Sequence, residues 1–136
     1  MERIWNELYR AAKSKLKGKE ISPFIEYGNS SCAILGGNDK IYTGINVKSS
    51  TSINSSAEKN AIVAMLNDGE HVLKKMVLLN ELEEVIEPSD EYYGYLLELS
   101  NGIDDIEVLV NYEKKEIKKM VDLLPDWWGT YRVKKN

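Results

Sequence analysis

The sequence predicts an α/β domain of three layers, with helices packed on both faces of one mixed sheet. Three observations carry that expectation. Apolar periodicity switches back and forth between a helical step and strand-like runs along the chain. The first two strands are joined by a short turn and must be antiparallel, while later strands are separated by helices. At 136 residues the chain has the size of one domain, 1–136. A chain of this length buries roughly two-thirds of the surface its unfolded form exposes, enough for one sizeable core.

The elements follow in order. Ile4, Trp5, Leu8, Ala12 and Leu16 recur at helical spacing, so residues 2–17 read as a helix with one apolar stripe, ended by Gly18. Residues 20–30 hold Pro23, Gly28, Asn29 and two serines and read as a loop. Ser31 to Leu35 is a short apolar run, Gly36-Gly37-Asn38-Asp39 a turn, and Lys40 to Val47 a second run, together a β-hairpin. Lys48 to Asn54 is polar and reads as a loop. Residues 56–68 read as a helix with a broad buried face of Ala57, Ala61, Ile62, Ala64, Met65 and Leu66, stopped by Asp68-Gly69. Val72 to Leu79 reads as a strand despite Lys74-Lys75. Residues 89–100 read as another helix, with Tyr93, Leu96, Leu97 and Leu99 apolar, and Ile106 to Val110 as a compact strand. Residues 112–124 mix charge with Ile117, Met120, Val121, Leu123 and Leu124 and fit no single period; Pro125 ends them. No internal repeat or low-complexity tract is visible.

Composition narrows the function classes. The net charge is −4 and the basic residues are spread along the chain, which argues against a nucleic-acid surface. Cys32 is the single cysteine, so an intrachain disulfide and a cysteine-rich zinc site are both excluded. No stretch approaches the roughly 20 apolar residues of a membrane span, and the N-terminus lacks the apolar core of a signal peptide. A cytoplasmic protein without membrane contact is the expectation.

Two segments carry possible chemistry. One reads Asn54-Ser55-Ser56-Ala57-Glu58-Lys59-Asn60-Ala61-Ile62, and about thirty residues on comes Pro88-Ser89-Asp90-Glu91-Tyr92. The first resembles the Cys/His-Ala-Glu motif of zinc-dependent cytidine deaminases, and the second their Pro-Cys-x-x-Cys motif. Tyr42-Thr43-Gly44-Ile45-Asn46-Val47 resembles the Gly-x-Asn-Val strand ending that precedes the first motif in this family. Asp122-Leu123-Leu124-Pro125 resembles the ending of its short, tetrameric members, the blasticidin-type deaminases included. The resemblance covers most of the chain. It implies a cytidine deaminase-like fold, a homodimer or homotetramer, and a nucleoside-like small-molecule ligand.

The resemblance also places the family's three zinc ligands at Ser56, Ser89 and Tyr92. Serine hydroxyls stay protonated near neutral pH and are hard donors, and a tyrosine titrates near about 10, so no zinc first shell follows. His71, the single histidine, cannot rebuild one. No cofactor is expected, although zinc is the family's. Glu58 matches the family's general acid/base. It equally fits a capping box, Ser55-x-x-Glu58, in which Ser55 accepts from the Glu58 amide and Glu58 reaches back to the Ser55 amide. Asn46 matches a family contact to the ribose hydroxyls, whereas the glutamate expected two residues on is Lys48, a cation suited to phosphate or another anion.

Other features read more plainly. Tyr92 and Tyr95 lie three apart and could fill the volume left by zinc and its thiolates. Trp127-Trp128 reads as an oligomer contact or a base-stacking pair, and Cys32 as a small core residue. Glu81, Glu83, Glu84 and Glu87 read as a solvated connection. The functional expectation is a cytidine deaminase-like protein without its zinc site. It would be non-catalytic, binding a nucleoside-like or anionic small molecule or serving as an assembly or regulatory partner. The alternative is an active nucleoside deaminase, a hydrolase of a cyclic amidine C–N bond with unusual metal ligation.

Overall fold

The computed structural model describes residues 2–51, 54–88, 95, 96, 98, 99 and 106–123. The elements are α1 (Arg3–Lys15), β1 (Lys19–Ser22), β2 (Ile25–Gly36), β3 (Ile41–Ser49), α2 (Ala57–Asn67), β4 (Leu73–Leu79), β5 (Val85–Ile86), β6 (Glu107–Asn111) and β7 (Glu116–Lys119), followed by one helical turn, Met120–Leu123. Residues 95, 96, 98 and 99 are helical, inside the segment predicted as a helix.

The long strand β2 organises the sheet. Along one edge it pairs antiparallel with β3 from Ile25 to Leu35. Its other edge is shared: β1 takes the first three residues, and β4 takes Ser31 to Gly36. β4 divides its outer edge likewise, with β6 beside Lys75 and Met76 and β5 beside Leu78 and Leu79. The β4–β6 pair is parallel and the other pairs antiparallel, so the sheet is mixed, as predicted.

The alternation of side chains along the strands builds two cores. Cys32, Ile34, Met76, Leu78 and Val108 point to the α2 side and pack with Ala57, Ala61, Ile62, Met65 and Leu96. Ala33, Leu35, Val77, Leu79 and Leu109 point to the α1 side and meet Trp5, Leu8 and Ala12. Both sheet faces are therefore covered, which is why the central strands read as unbroken apolar runs. Each fully buried Leu or Ile contributes on the order of 2 kcal/mol. Lys75 does not interrupt β4. Its ammonium pairs with Glu107, its register partner on β6, and lies 5.2 Å from the Trp5 ring centroid.

Three local readings need correction. Residues 20–30 are mostly strand, not loop. Pro23 sits in the tight β1–β2 turn, and Gly28, at φ 80°, sits in a bulge where the β2–β3 register shifts between Tyr27 and Ser31. Turn-forming residues thus marked a bend and a bulge within strand pairing. The acidic stretch keeps its glutamates exposed but contains β5, which pairs with β4. Within the unassigned segment 112–124 the described residues hold a turn, β7 and the helical turn, each too short to show a period.

Helix α2 lies directly on β3 at Gly44. A β-carbon there would collide with the Ala61 amide and the Ala57 carbonyl, both backbone atoms that cannot rotate away. Gly69 differs: at φ 84° it needs left-handed backbone, yet a β-carbon would touch nothing within 4 Å. Gly44→Ala is expected to cost about 2 kcal/mol or more by prising the helix off the strand. Gly69→Ala is expected to cost about 1 kcal/mol through backbone strain alone. Chemical denaturation of the two variants measures the contrast.

Candidate functional site

The site is built where the chain leaves β3 and enters α2. Val47 and Ser55 exchange two backbone hydrogen bonds, Val47 N–H to the Ser55 carbonyl at 2.9 Å and Ser55 N–H to the Val47 carbonyl at 3.0 Å. They pinch the intervening connection into a closed loop. The Asn60 side chain reinforces the pinch, donating from Nδ2 to the Ile45 carbonyl at 2.7 Å and to Ser55 Oγ at 3.1 Å. Gly44 brings helix and strand close enough for that short side chain to bridge them.

Ser56 is the N-cap of α2. Its backbone is extended (φ −90°, ψ 158°), and its Oγ accepts from the Lys59 amide at 3.1 Å. The expected capping box does not form. The Ser55 amide is consumed by Val47, so Glu58 has no free amide to reach back to, and the cap acceptor lies one residue later than predicted. Glu58 is instead 7% exposed. Burial pushes its carboxyl pKa up, partly offset by a bond from its own amide. It lies close enough to Cys32 to act on that thiol. Cys32 is fully buried, and burial first, then the Glu58 charge, hold its pKa well above the ordinary value. That environment keeps Cys32 an inert core thiol.

Asn46 is also 7% exposed. Its Oδ1 accepts from the Ser30 amide at 2.9 Å, satisfying a backbone group that the β2 bulge leaves without a ladder partner. Asn46, Lys48 and Ser56 line one open cleft of about 500 Å³, together with Ser30, Asn54 and Ser55. Three of the residues singled out from sequence therefore meet. Glu58 does not line this cleft. Ser89, Tyr92 and Trp127-Trp128 lie outside the described residues. Tyr95 is 41% exposed and fills no buried volume. Among the described residues, no three His, Cys, Asp or Glu side chains gather into a group that could hold a metal ion.

Ser30, Asn54 and Asn60 were not singled out in the sequence, and Ser55 only as a helix cap. Ser55 and Asn60 are polar residues flanking a helix start, a weak signal by itself. Ser30 joins the cleft only because the bulge turns the strand there.

Ser56→Ala is expected to cost about 1 kcal/mol of stability by removing the cap acceptor, and Ser55→Ala less, since Asn60 keeps its bond to Ile45. Urea denaturation distinguishes them. The raised pKa of Glu58 means that its proton is held more tightly folded than unfolded. Its stabilising contribution is complete below the ordinary glutamate range and lost as pH rises through the raised value. Glu58→Gln is therefore expected to raise Tm at neutral pH, with the gap to the native chain closing as pH falls.

No family model and no curated protein sequence matches the chain. Solved structures do. Cytidine deaminase from Mycobacterium tuberculosis superposes with a TM-score of 0.73 at 23% identity, over 93% of this chain and 98% of that one. Cytidine deaminase from Mycobacterium leprae gives 0.72 at 21% identity, over 92% and 100%. Cytidine deaminase from Bacillus anthracis gives 0.74 at 18% identity, over 98% and 95%. The chain has the fold of the cytidine deaminases.

Proposed function

We propose that this chain is a cytidine deaminase-like protein without the catalytic zinc, and that it binds a nucleoside-like or anionic small molecule in the cleft of Asn46 and Lys48. The observation that carries this reading is the engagement of Ser56. It stands where the family pattern puts the first zinc ligand, and its Oγ is already the cap acceptor for Lys59. A hard, protonated hydroxyl occupied in this way does not fit a zinc site. The other two family positions, Ser89 and Tyr92, offer a second hydroxyl and a phenol. No metal-dependent step follows from this donor set. The buried Asn46 and the exposed Lys48 supply contacts for a ligand instead. An assembly or regulatory role through a homodimer or homotetramer is compatible with the same fold. Val63 and Leu66, apolar and exposed on α2, offer surface for it.

Glu58 favours a second reading, an active nucleoside deaminase with metal ligands elsewhere in the chain. A buried carboxyl with a raised pKa and no capping duty has the properties of a general acid/base. Metal analysis of the purified protein, with an ammonia-release assay on cytidine, separates the two. Zinc well below one equivalent per chain and no ammonia are expected. One tightly held equivalent, or ammonia release abolished by Glu58→Gln, overturns the non-catalytic reading in favour of the hydrolase.

A further inference from the structure

The cleft beside α2 has an unusual division of hydrogen-bonding groups. Its side-chain oxygens, Ser30 Oγ apart, each already accept a hydrogen bond within the protein. Asn46 Oδ1 takes the Ser30 amide, Asn54 Oδ1 takes the Ser49 amide at 2.8 Å, Ser55 Oγ takes Asn60 Nδ2, and Ser56 Oγ takes the Lys59 amide. These bonds also fix the orientation of both asparagine amides, because only the oxygen can face an N–H. Beside the second lone pair of each oxygen, four donors remain toward the cleft: the Nδ2 groups of Asn46 and Asn54 and the hydroxyl protons of Ser55 and Ser56. None of these donates to a partner among the described residues.

The Asn46 amide is the telling member. The residue is 7% exposed, its Nδ2 is unpartnered among the described residues, and it lines the cleft. That nitrogen opens to the cleft and offers a fixed donor to an acceptor bound there. Lys48 adds a full positive charge, and among the described residues no acidic side chain lines the cleft. Glu26 faces Lys48 across the strand pair, but its carboxylate accepts from Asn29 at 3.2 Å and forms no ion pair with Lys48 among the described residues. The amino end of α2, capped by Ser56 at the cleft wall, adds its positive partial charge.

We infer that this cleft is an anion site that takes the phosphate group of a phosphorylated ligand, a nucleotide rather than a nucleoside. The inference rests on the reading above that the cleft binds a ligand, and it names the chemistry. A phosphate presents only acceptor oxygens and a negative charge, the complement of a donor-lined wall with one cation. A nucleoside brings no charge to meet Lys48 or the amino end of α2.

Isothermal titration calorimetry with inorganic phosphate, cytidine 5′-monophosphate and cytidine tests this on the full chain at fixed salt. The monophosphate is expected to bind at least about tenfold more tightly than cytidine, weakening as salt rises. Lys48→Ala should lower that affinity about tenfold and Lys48→Arg should retain it; Lys48 is exposed, so the fold survives both, as melting curves check. Asn46→Asp keeps the acceptor for the Ser30 amide while replacing the donor with a negative charge, and should abolish phosphate binding. Lys48-dependent binding of inorganic phosphate without the monophosphate supports the anion chemistry and names free phosphate as its source. Cytidine binding as tightly as its monophosphate, or a Lys48→Ala chain binding phosphate unchanged, overturns the anion inference and leaves the ligand cleft standing. Binding of none of the three ligands overturns both.

Discussion

Where α2 crosses β3 the two backbones come so close that no side chain fits between them, and Gly44 leaves the gap. The rest of the candidate site follows from that contact. It lets the short Asn60 side chain span from helix to strand and hold the Ile45 carbonyl. It sets the distance at which Ser55 and Val47 pair, closing the connection between strand and helix. It also buries the first turn of α2, so Glu58 leaves water instead of facing it. A larger residue at position 44 would tilt the helix and loosen all three together, because packed backbones do not deform by small degrees.

The strand side of the site depends on a second irregularity. The bulge at residues 28–30 lets β2 hand its edge from β1 to β4, and it leaves the Ser30 amide in need of an acceptor. Asn46 supplies it. One side chain therefore repairs the sheet with its oxygen and presents its nitrogen to the cleft. The residue is fold-forming and ligand-facing through different atoms, so its structural duty does not exclude the other role. Glu58 stands in contrast. Its carboxyl is buried without a capping amide, which opposes folding at neutral pH, and such strain collects at functional positions.

Much of the architecture was legible along the chain. The stripe of Trp5, Leu8 and Ala12, the hairpin at Gly36-Gly37-Asn38-Asp39, and the broad apolar face of α2 are local patterns, and each appears within a residue or two of its expected place. The errors share a cause. Pro23, Gly28 and Asn29 spoke for a loop because turn chemistry looks the same in a loop, a tight hairpin and a bulge. β5 and β7 were missed because strands of two and four residues carry no period. The Ser55-x-x-Glu58 spacing suggested a capping box, but the Ser55 amide had already gone to Val47, a partner across the sheet.

The sequence by itself determined the alternation of strands and helices, the three-layer α/β class, and the residue types at positions 46, 48, 56 and 58. Those depend on covalent order and on periods of two and 3.6 residues, which are local properties. Tertiary structure alone decided which serine caps α2, that Glu58 turns inward toward Cys32, and that Asn46, Lys48 and Ser56 share one cleft. A hydrogen-bonding group takes one of several partners, and only the folded chain decides which of them stands within reach.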